Sequence, residues 1–218
     1  MIDHVVVATD STEIADACAA FGGRAELTSP DHPSGTDRIA EVAERAAYAR
    51  YDVILNVQGD EPFVTEAQVC AAIDGVRDGF DVGTVGTPVR TLAAWRDPSV
   101  VKVVRGARGA ALYFSRSPIP FDRDGDPSPS ALVSEAYLRH IGVYAYTRAA
   151  LRTWVRLPLD DLERVERLEQ LRPLAAGLKI GVGVVADAEG GVDTPADAVR
   201  AEAKLLTLSN TLQPAATE

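Results

Sequence analysis

The strongest constraint on this chain is its alternation of short apolar runs with stretches of helical period. Val5-Val6-Val7-Ala8, closed by Thr9-Asp10-Ser11, reads as a buried strand. Thr12 to Phe21 follows with Ile14, Ala17, Cys18 and Phe21 at helical spacing, and Gly22-Gly23 stops it. Ala25 to Thr28 is a second short strand. Thr36 to Ala47 is a helix with Ile39, Val42, Ala43 and Ala46 on one face, and Val53 to Val57 is the clearest strand. Thr65, with Gln68 three residues on, forms a capping box that opens a helix through Val76. Alternation at this pace predicts an α/β fold, a mostly parallel twisted sheet with helices on both faces.

The middle of the chain breaks the rhythm. Val100 to Val104 and Ala111 to Ser115 flank the turn Gly106-Ala107-Arg108-Gly109 as an antiparallel hairpin. Ser117 to Ala136, interrupted by Pro118, Pro120, Gly125, Pro127 and Pro129, reads as a mobile loop, and His140 to Tyr146 as a strand. Leu159 to Ala176 reads as one charged amphipathic helix, Ile180 to Val185 as a strand and Thr194 to Leu208 as a last helix. The organisation expected is a single domain over residues 1–210, with 100–146 as a hairpin-rich insert and 211–218 as a tail.

Composition narrows the function classes. Lys and Arg number 22 against 32 Asp and Glu, a net charge of −10 that argues against non-specific nucleic-acid binding but leaves room for a local basic pocket. Cys18 and Cys70 suit free buried thiols rather than a disulfide framework, and three histidines without ligand spacing argue against zinc. No apolar run approaches the roughly 18 residues of a membrane span. Met1-Ile2-Asp3-His4 has no basic leader, so a cytoplasmic chain is expected. Neither a phosphate-binding G-x-x-x-x-G-K-[ST] nor a G-x-G-x-x-G or G-x-S-x-G motif occurs.

In open α/β sheets ligands collect at the carboxyl ends of strands. Asp60 follows the most apolar strand, and the preceding Gly59 lets a ligand approach the backbone. Asp193 precedes a well-marked helix start, with Thr194 as cap, Pro195 at the first position and Asp197 in the first turn. Two such carboxylates can share a magnesium ion, or each can serve its own turn; spacing alone leaves the two readings even. His32 to Arg38 places small hydroxyls, a glycine and an arginine at a helix start, which suits either polar recognition or plain capping. His140 and Tyr144 share a strand face, and Glu169-Gln170 could turn inward from the charged run.

Six blocks carry a resemblance. They are His32-Pro33-Ser34-Gly35-Thr36-Asp37-Arg38-Ile39-Ala40-Glu41-Val42, Asn56-Val57-Gln58-Gly59-Asp60-Glu61-Pro62, Ala111 to Pro120, Tyr137 to Tyr146, Leu168-Glu169-Gln170-Leu171-Arg172 and Gly191-Val192-Asp193-Thr194-Pro195. In this order, over about Val5 to Leu206, the chain resembles the 3-deoxy-manno-octulosonate cytidylyltransferase (CMP-Kdo synthetase) family. The resemblance implies a Rossmann-like nucleotidyltransferase fold. It implies a magnesium-dependent reaction of CTP with an eight-carbon sugar acid, giving CMP-sugar and pyrophosphate for lipopolysaccharide synthesis. Asp60 and Asp193 become the catalytic metal ligands; Ser34, Arg38, Gln58 and Gly59 lie against the nucleotide. Arg116, Arg139, His140, Tyr144, Glu169 and Gln170 surround the sugar acid, an arginine suiting its carboxylate. It further implies a homodimer pairing through Val100 to Ser115 and Leu138 to Tyr146.

One departure stands out. Family members open with a strand and a basic, glycine-containing phosphate loop followed by a helix, and Val5 here corresponds to their second strand. The resemblance therefore implies weak nucleotide binding, impaired turnover and exposed apolar faces beside the absent strand. Three readings follow: the family enzyme with its start placed too far downstream, favoured because the other motifs are intact; an inactive relative keeping sugar-acid or partner binding; or a cytidylyltransferase for another sugar acid.

Overall fold

The computed structural model describes residues 2–192 and 194–212, with side chains as far as Leu208. In chain order the elements are β1 (Val7–Thr9), α1 (Thr12–Ala20), β2 (Ala25–Leu27), α2 (Gly35–Glu44), β3 (Val53–Val57), α3 (Glu66–Arg77), β4 (Val82–Pro88), α4 (Leu92–Arg96) and β5 (Lys102–Arg105). They continue with β6 (Ala111–Ser115), α5 (Pro129–Leu132), β7 (Leu138–Thr147), α6 (Arg148–Trp154), α7 (Asp161–Glu166), α8 (Leu171–Ala175), β8 (Ile180–Val184) and α9 (Pro195–Leu212). The α/β class holds. A six-stranded sheet runs β6-β5-β7-β4-β8, with β3 also on β7, while β1 and β2 pair parallel in a separate two-stranded sheet. Strands β3, β4, β5 and β8 point one way; β7 runs against β3, β4 and β5.

Local signals explain many boundaries. Ser34 caps α2, and Thr65 with Gln68 makes the expected capping box on α3. Strand β4 has no expectation behind it, because Val82-Gly83-Thr84-Val85-Gly86 dilutes apolar pattern with glycine. The glycines are there for close packing: a Cβ on Gly83 would stand 1.9 Å from the Ala72 carbonyl oxygen of α3. Helix α3 thus lies directly on the β4 backbone.

Two cores flank the sheet. One face packs Val82, Tyr144, Tyr146 and Ile180 against Ala40 and Ala43 of α2, Leu151 and Trp154 of α6, and Leu171 of α8. The other packs Val85, Ile141, Val143 and Ala145 against Ala72 of α3. At about 25 cal/mol per Å², a fully buried ring such as Trp154 contributes several kcal/mol.

Several expectations need correction. Residues 117–136 include the short helix α5 and are anchored at their ends: Leu132 of α5 and Tyr137 meet Trp95, whose Nε1 donates to the Ile119 carbonyl at 3.2 Å, while Phe121 and most of 122–130 are exposed. The helix expected over 159–176 is broken into α7 and α8 by Arg167, which takes a left-handed φ of 53°. The break is held by the Glu163–Arg172 pair, bidentate at 2.7 Å and nearly buried. Cys70 is exposed, whereas Cys18 is buried as expected. Of the tail, 211–212 continues α9, and 213–218 lies outside the described residues. No helix among the described residues is long and apolar enough to cross a membrane.

Strand β1 pairs only with β2, and β3 only with β7, so each keeps an unpaired edge among the described residues. Helix α2 packs against both. Val5, Val7, Val53 and Val57 around these edges are all exposed, Val5 at 73%.

Candidate active site

The site is built where β3 ends. Its chain turns through Gln58 to Glu61, the Glu61 amide donating to the Gln58 carbonyl at 3.0 Å. This turn crosses β7 at Gly142: the Gln58 amide donates to the Gly142 carbonyl at 3.3 Å, and the Gly142 amide to Glu61 Oε1 at 3.3 Å. A Cβ on Gly142 would stand 3.2 Å from Gln58 Cγ, so glycine is what lets the turn lie across the strand. Gly35, the first residue of α2, likewise leaves space for the Gln58 amide, 3.3 Å from where its Cβ would be. The start of α2 and the end of β3 therefore meet at Gln58.

Asp60 is exposed on this turn, and its carbonyl accepts the Val192 amide at 2.8 Å. The loop leading to Asp193 is thereby fastened to Asp60, although Asp193 itself lies outside the described residues. Beyond it, Thr194 caps α9 as expected, accepting from the Asp197 amide at 3.3 Å while its own amide donates to Asp197 Oδ2 at 2.8 Å. Lys204 of α9 sits 4.8 Å over the Phe63 ring and pairs with Glu189, holding the same loop from behind. Among the described residues no three His, Cys, Asp or Glu side chains gather as a metal cluster.

Glu169 reaches the other side of the α2 start. Its Oε2 accepts from the Thr36 hydroxyl at 3.1 Å, with Ser34 beside it. Burial pushes this carboxyl up, against the pull of Ser34, Thr36 and Arg172; Asp37 adds a smaller push upward. Gln170 is buried next to it. The turn that presents both residues is the break between α7 and α8, so the inward placement comes from that break and not from a continuous helix face.

His140, Tyr144 and Tyr146 share one face of β7, with centroids 5.2 Å apart for His140–Tyr144 and 5.9 Å for Tyr144–Tyr146. Thr84 spends its hydroxyl proton on the Val143 carbonyl at 2.9 Å, so its contact with His140 Nε2 at 2.9 Å makes that nitrogen the donor. Burial pushes the imidazole down to about 3, leaving it neutral with Nδ1 as acceptor. Burial also holds the Tyr144 phenol well above its ordinary value.

The three predicted arginines are each committed to neighbouring groups, and Arg139 lies within electrostatic reach of Glu61 on the turn. Arg38 turns toward β1 and β2, bonding Thr28 Oγ1 at 2.6 Å and the Ser29 carbonyl and pairing with Asp10 at 3.3 Å. Arg116 bonds the carbonyls of Pro98 and Glu166 at 3.0 and 2.8 Å. Arg139 bonds the carbonyls of Ala188 and Glu189. The structure brings Gln58 and Glu169 to Ser34 and the α2 start, with Gly59 and Asp60 on the turn that carries Gln58, Gln170 beside Glu169 in the chain, and His140 and Tyr144 on the β7 face. Thr36, Thr84 and Asn56 were not singled out; the signal for Thr36 was its place at the second position of a capped helix.

A family model for cytidylyltransferases matches residues 1–180. The chain belongs to the cytidylyltransferase family. It is 52% identical over 200 residues to the 3-deoxy-manno-octulosonate cytidylyltransferase of Gemmatimonas aurantiaca, covering 91% of this chain and 76% of that one. The enzyme of the same name from Thermodesulfovibrio yellowstonii is 42% identical over 215 residues, 96% and 84% of the two chains. A solved structure of CMP:2-keto-3-deoxy-manno-octonic acid synthetase complexed with CTP superposes with a TM-score of 0.84 at 40% identity, over 94% of this chain and 82% of that one. The 4-diphosphocytidyl-2C-methyl-D-erythritol synthase of Anaerococcus prevotii, 15% identical with a TM-score of 0.54, shares the fold. The cytidylyltransferase fold thus places the Gln58–Glu61 turn, the α2 start and Glu169 at one strand-end rim.

Proposed function

We propose that this cytidylyltransferase activates 3-deoxy-manno-octulosonate with CTP. The anomeric hydroxyl oxygen bonds to the α-phosphorus, the bond from that phosphorus to the bridging oxygen breaks, pyrophosphate leaves, and the hydroxyl proton passes to solvent. The observation that carries the reading is the Val192 to Asp60 bond at 2.8 Å, which fastens the loop leading to Asp193 to the Asp60 turn. The relatives' shared specificity supports the sugar acid, and a role in lipopolysaccharide synthesis in the cytoplasm follows from it.

The residues divide the task. The Gln58 amide, set against Gly35, offers both a donor and an acceptor to a cytosine edge. Glu169 and Gln170 present polar groups to sugar hydroxyls, Thr36 holds the Glu169 carboxylate, and neutral His140 keeps one ring nitrogen as acceptor. Asp60, an exposed carboxylate on a pinned turn, is a hard oxygen donor of the kind magnesium takes in ones or twos, and Asp193 would be the second. Magnesium, when bound, supplies charge neutralisation on the phosphates.

Among the described residues the rim offers few uncommitted cations to a triphosphate. Asp10, Asp37, Asp60 and Glu61 line the strand ends and the α2 start, and Arg38 is committed to Thr28, Ser29 and Asp10. With Arg38 so committed and Arg139 bonded to the Ala188 and Glu189 carbonyls, the described residues hold few donors for a triphosphate, so these 218 residues grip CTP weakly. Two copies of the chain meet through the β5–β6 hairpin, where Leu112 is 60% exposed. Strand β7 is internal, paired on both edges, so the reading places the contact on the hairpin rather than on residues 138–146.

Pyrophosphate release with CTP, magnesium and the sugar acid tests the reading. Turnover about 100-fold or more below that of a relative carrying the basic loop is expected. Fusing the family's first strand and basic loop ahead of Ile2 should restore it, and Asp60→Ala in the fused chain should abolish it. A fused, folded chain that stays silent with this sugar acid but turns over another would reassign the substrate. Near-normal turnover of the unfused chain would refute the weak grip.

A further inference from the structure

Behind the Glu169 carboxylate lie two buried polar atoms without a hydrogen-bond partner, Asn56 Nδ2 and the Tyr146 hydroxyl. Asn56 is 3% exposed and Tyr146 0%. Leaving either unsatisfied is destabilising, because a buried polar atom has lost its water without gaining a partner. They are neighbours across the β3–β7 ladder, where Ile54 faces Tyr146 and Asn56 faces Tyr144, so all four side chains share one face. The side chains that approach the Tyr146 hydroxyl are Thr36 and Asn56, close but without a bond of good geometry.

Thr36 is itself 3% exposed, and its proton is already spent on Glu169 Oε2. Its oxygen can only accept from Tyr146. One order of donation then satisfies every group: Asn56 Nδ2–H to the Tyr146 oxygen, Tyr146 O–H to Thr36 Oγ1, Thr36 O–H to Glu169. Each proton points toward the carboxylate, so each bond polarises the next.

We propose that Asn56 and Tyr146 are positioning residues that act through the Thr36 hydroxyl to hold the Glu169 carboxylate. The proposal deepens the reading above and rests on it only for what Glu169 touches. The other groups facing Glu169 are Ser34 and Asp37 of the α2 start, Arg172 of α8 and Tyr144 of β7, and none of them is altered in the test.

The test follows the Glu169 carboxyl by NMR in the 218-residue protein with isotope-labelled glutamate, the signal assigned by its loss in Glu169→Gln. Tyr146→Phe removes one oxygen from a ring that stays packed. It should raise the titration midpoint of Glu169 by about half a pH unit, since a polarised donor to the anion is weakened. Thr36→Val should raise it by about one unit or more, and Asn56→Leu by less than Tyr146→Phe. The double variant should match Thr36→Val alone, because Tyr146 acts through Thr36.

A midpoint unmoved by Tyr146→Phe overturns the proposal. So does an additive double variant, which would put Tyr146 directly on the carboxylate. Thermal unfolding adds a sign: Tm falls in Tyr146→Phe if the hydroxyl is used, and a rise would show it idle, which also overturns the relay. The readout is the carboxyl itself. An intact shift beside a fused, folded chain that stays silent with this sugar acid would strike the proposed reaction and leave the relay standing.

Discussion

Lys102, wholly buried on β5, donates its ammonium to the carbonyl of Arg116 at 2.6 Å. Two more bonds run to the carbonyls of Val100 at 2.5 Å and Asp97 at 2.8 Å. One cation so ties the end of β6 to the turn before β5, and Arg116 continues the tie to α7 through the Glu166 carbonyl. Lys102→Met keeps the volume and removes every donor. Three carbonyls lose their partner, and urea unfolding should show a loss of about 3 kcal/mol. A loss below about 1 kcal/mol would mean that water substitutes for the ammonium.

The Glu163–Arg172 pair holds the turn that presents Glu169 and Gln170, with Arg172 raised by its hydrogen bonds to Glu163. Breaking a buried pair from one side strands the other charge. Arg172→Met should cost about 3–5 kcal/mol, and Glu163→Gln with Arg172→Met together less than Arg172→Met alone. Sugar-acid binding, followed by calorimetry, should weaken in the single variant even under conditions where it remains folded. Unchanged binding would separate the turn from the site.

His140 links stability to pH. Its folded value is depressed to about 3 from the ordinary 6.5 because burial disfavours the imidazolium. Between those values the unfolded chain binds the extra proton, so the stability contributed is full above the unfolded value and is lost as pH falls toward the folded one. Glu41, lowered to about 2 by the Ser29 amide, His32 and Arg45, adds its own loss only below the ordinary carboxylate range. In the window between ordinary carboxylate and histidine values, His140→Phe should therefore flatten the pH dependence of denaturant stability by up to about 1.4 kcal/mol per pH unit. Identical slopes for both proteins would show that water reaches the ring and charges it in place.

The free edges of β1 and β3 carry apolar side chains into solvent, a known route to edge-to-edge pairing. Val5→Lys with Val53→Lys should reduce self-association in light scattering while changing stability by no more than about 0.5 kcal/mol. Unchanged scattering would place association elsewhere on the surface, with Leu112 the next residue to change.

Much of this was legible along the chain. The Thr65–Gln68 box and the Thr194–Asp197 cap formed as expected, since each needs only residues within one turn. Strand β3 has the boundaries its apolar run implies. Strand β4 was hidden because its glycines answer to the backbone of α3, not to its own neighbours. The helix expected over 159–176 broke at Arg167 because Glu163 and Arg172, nine residues apart, bond across the break. The arginines were placed by resemblance, and the fold shows what each guanidinium already holds.

Element types, caps, the acidic strand ends and the family are written in the order of residues, because periodicity and motif spacing record them. That Thr36 donates to Glu169, 133 residues away, that Asn56 and Tyr146 lie behind that pair, and that β1 and β3 keep open edges depended on the folded arrangement. Contacts between distant positions leave no period in a single chain, and they exist only once the sheet sets which side chains share a face.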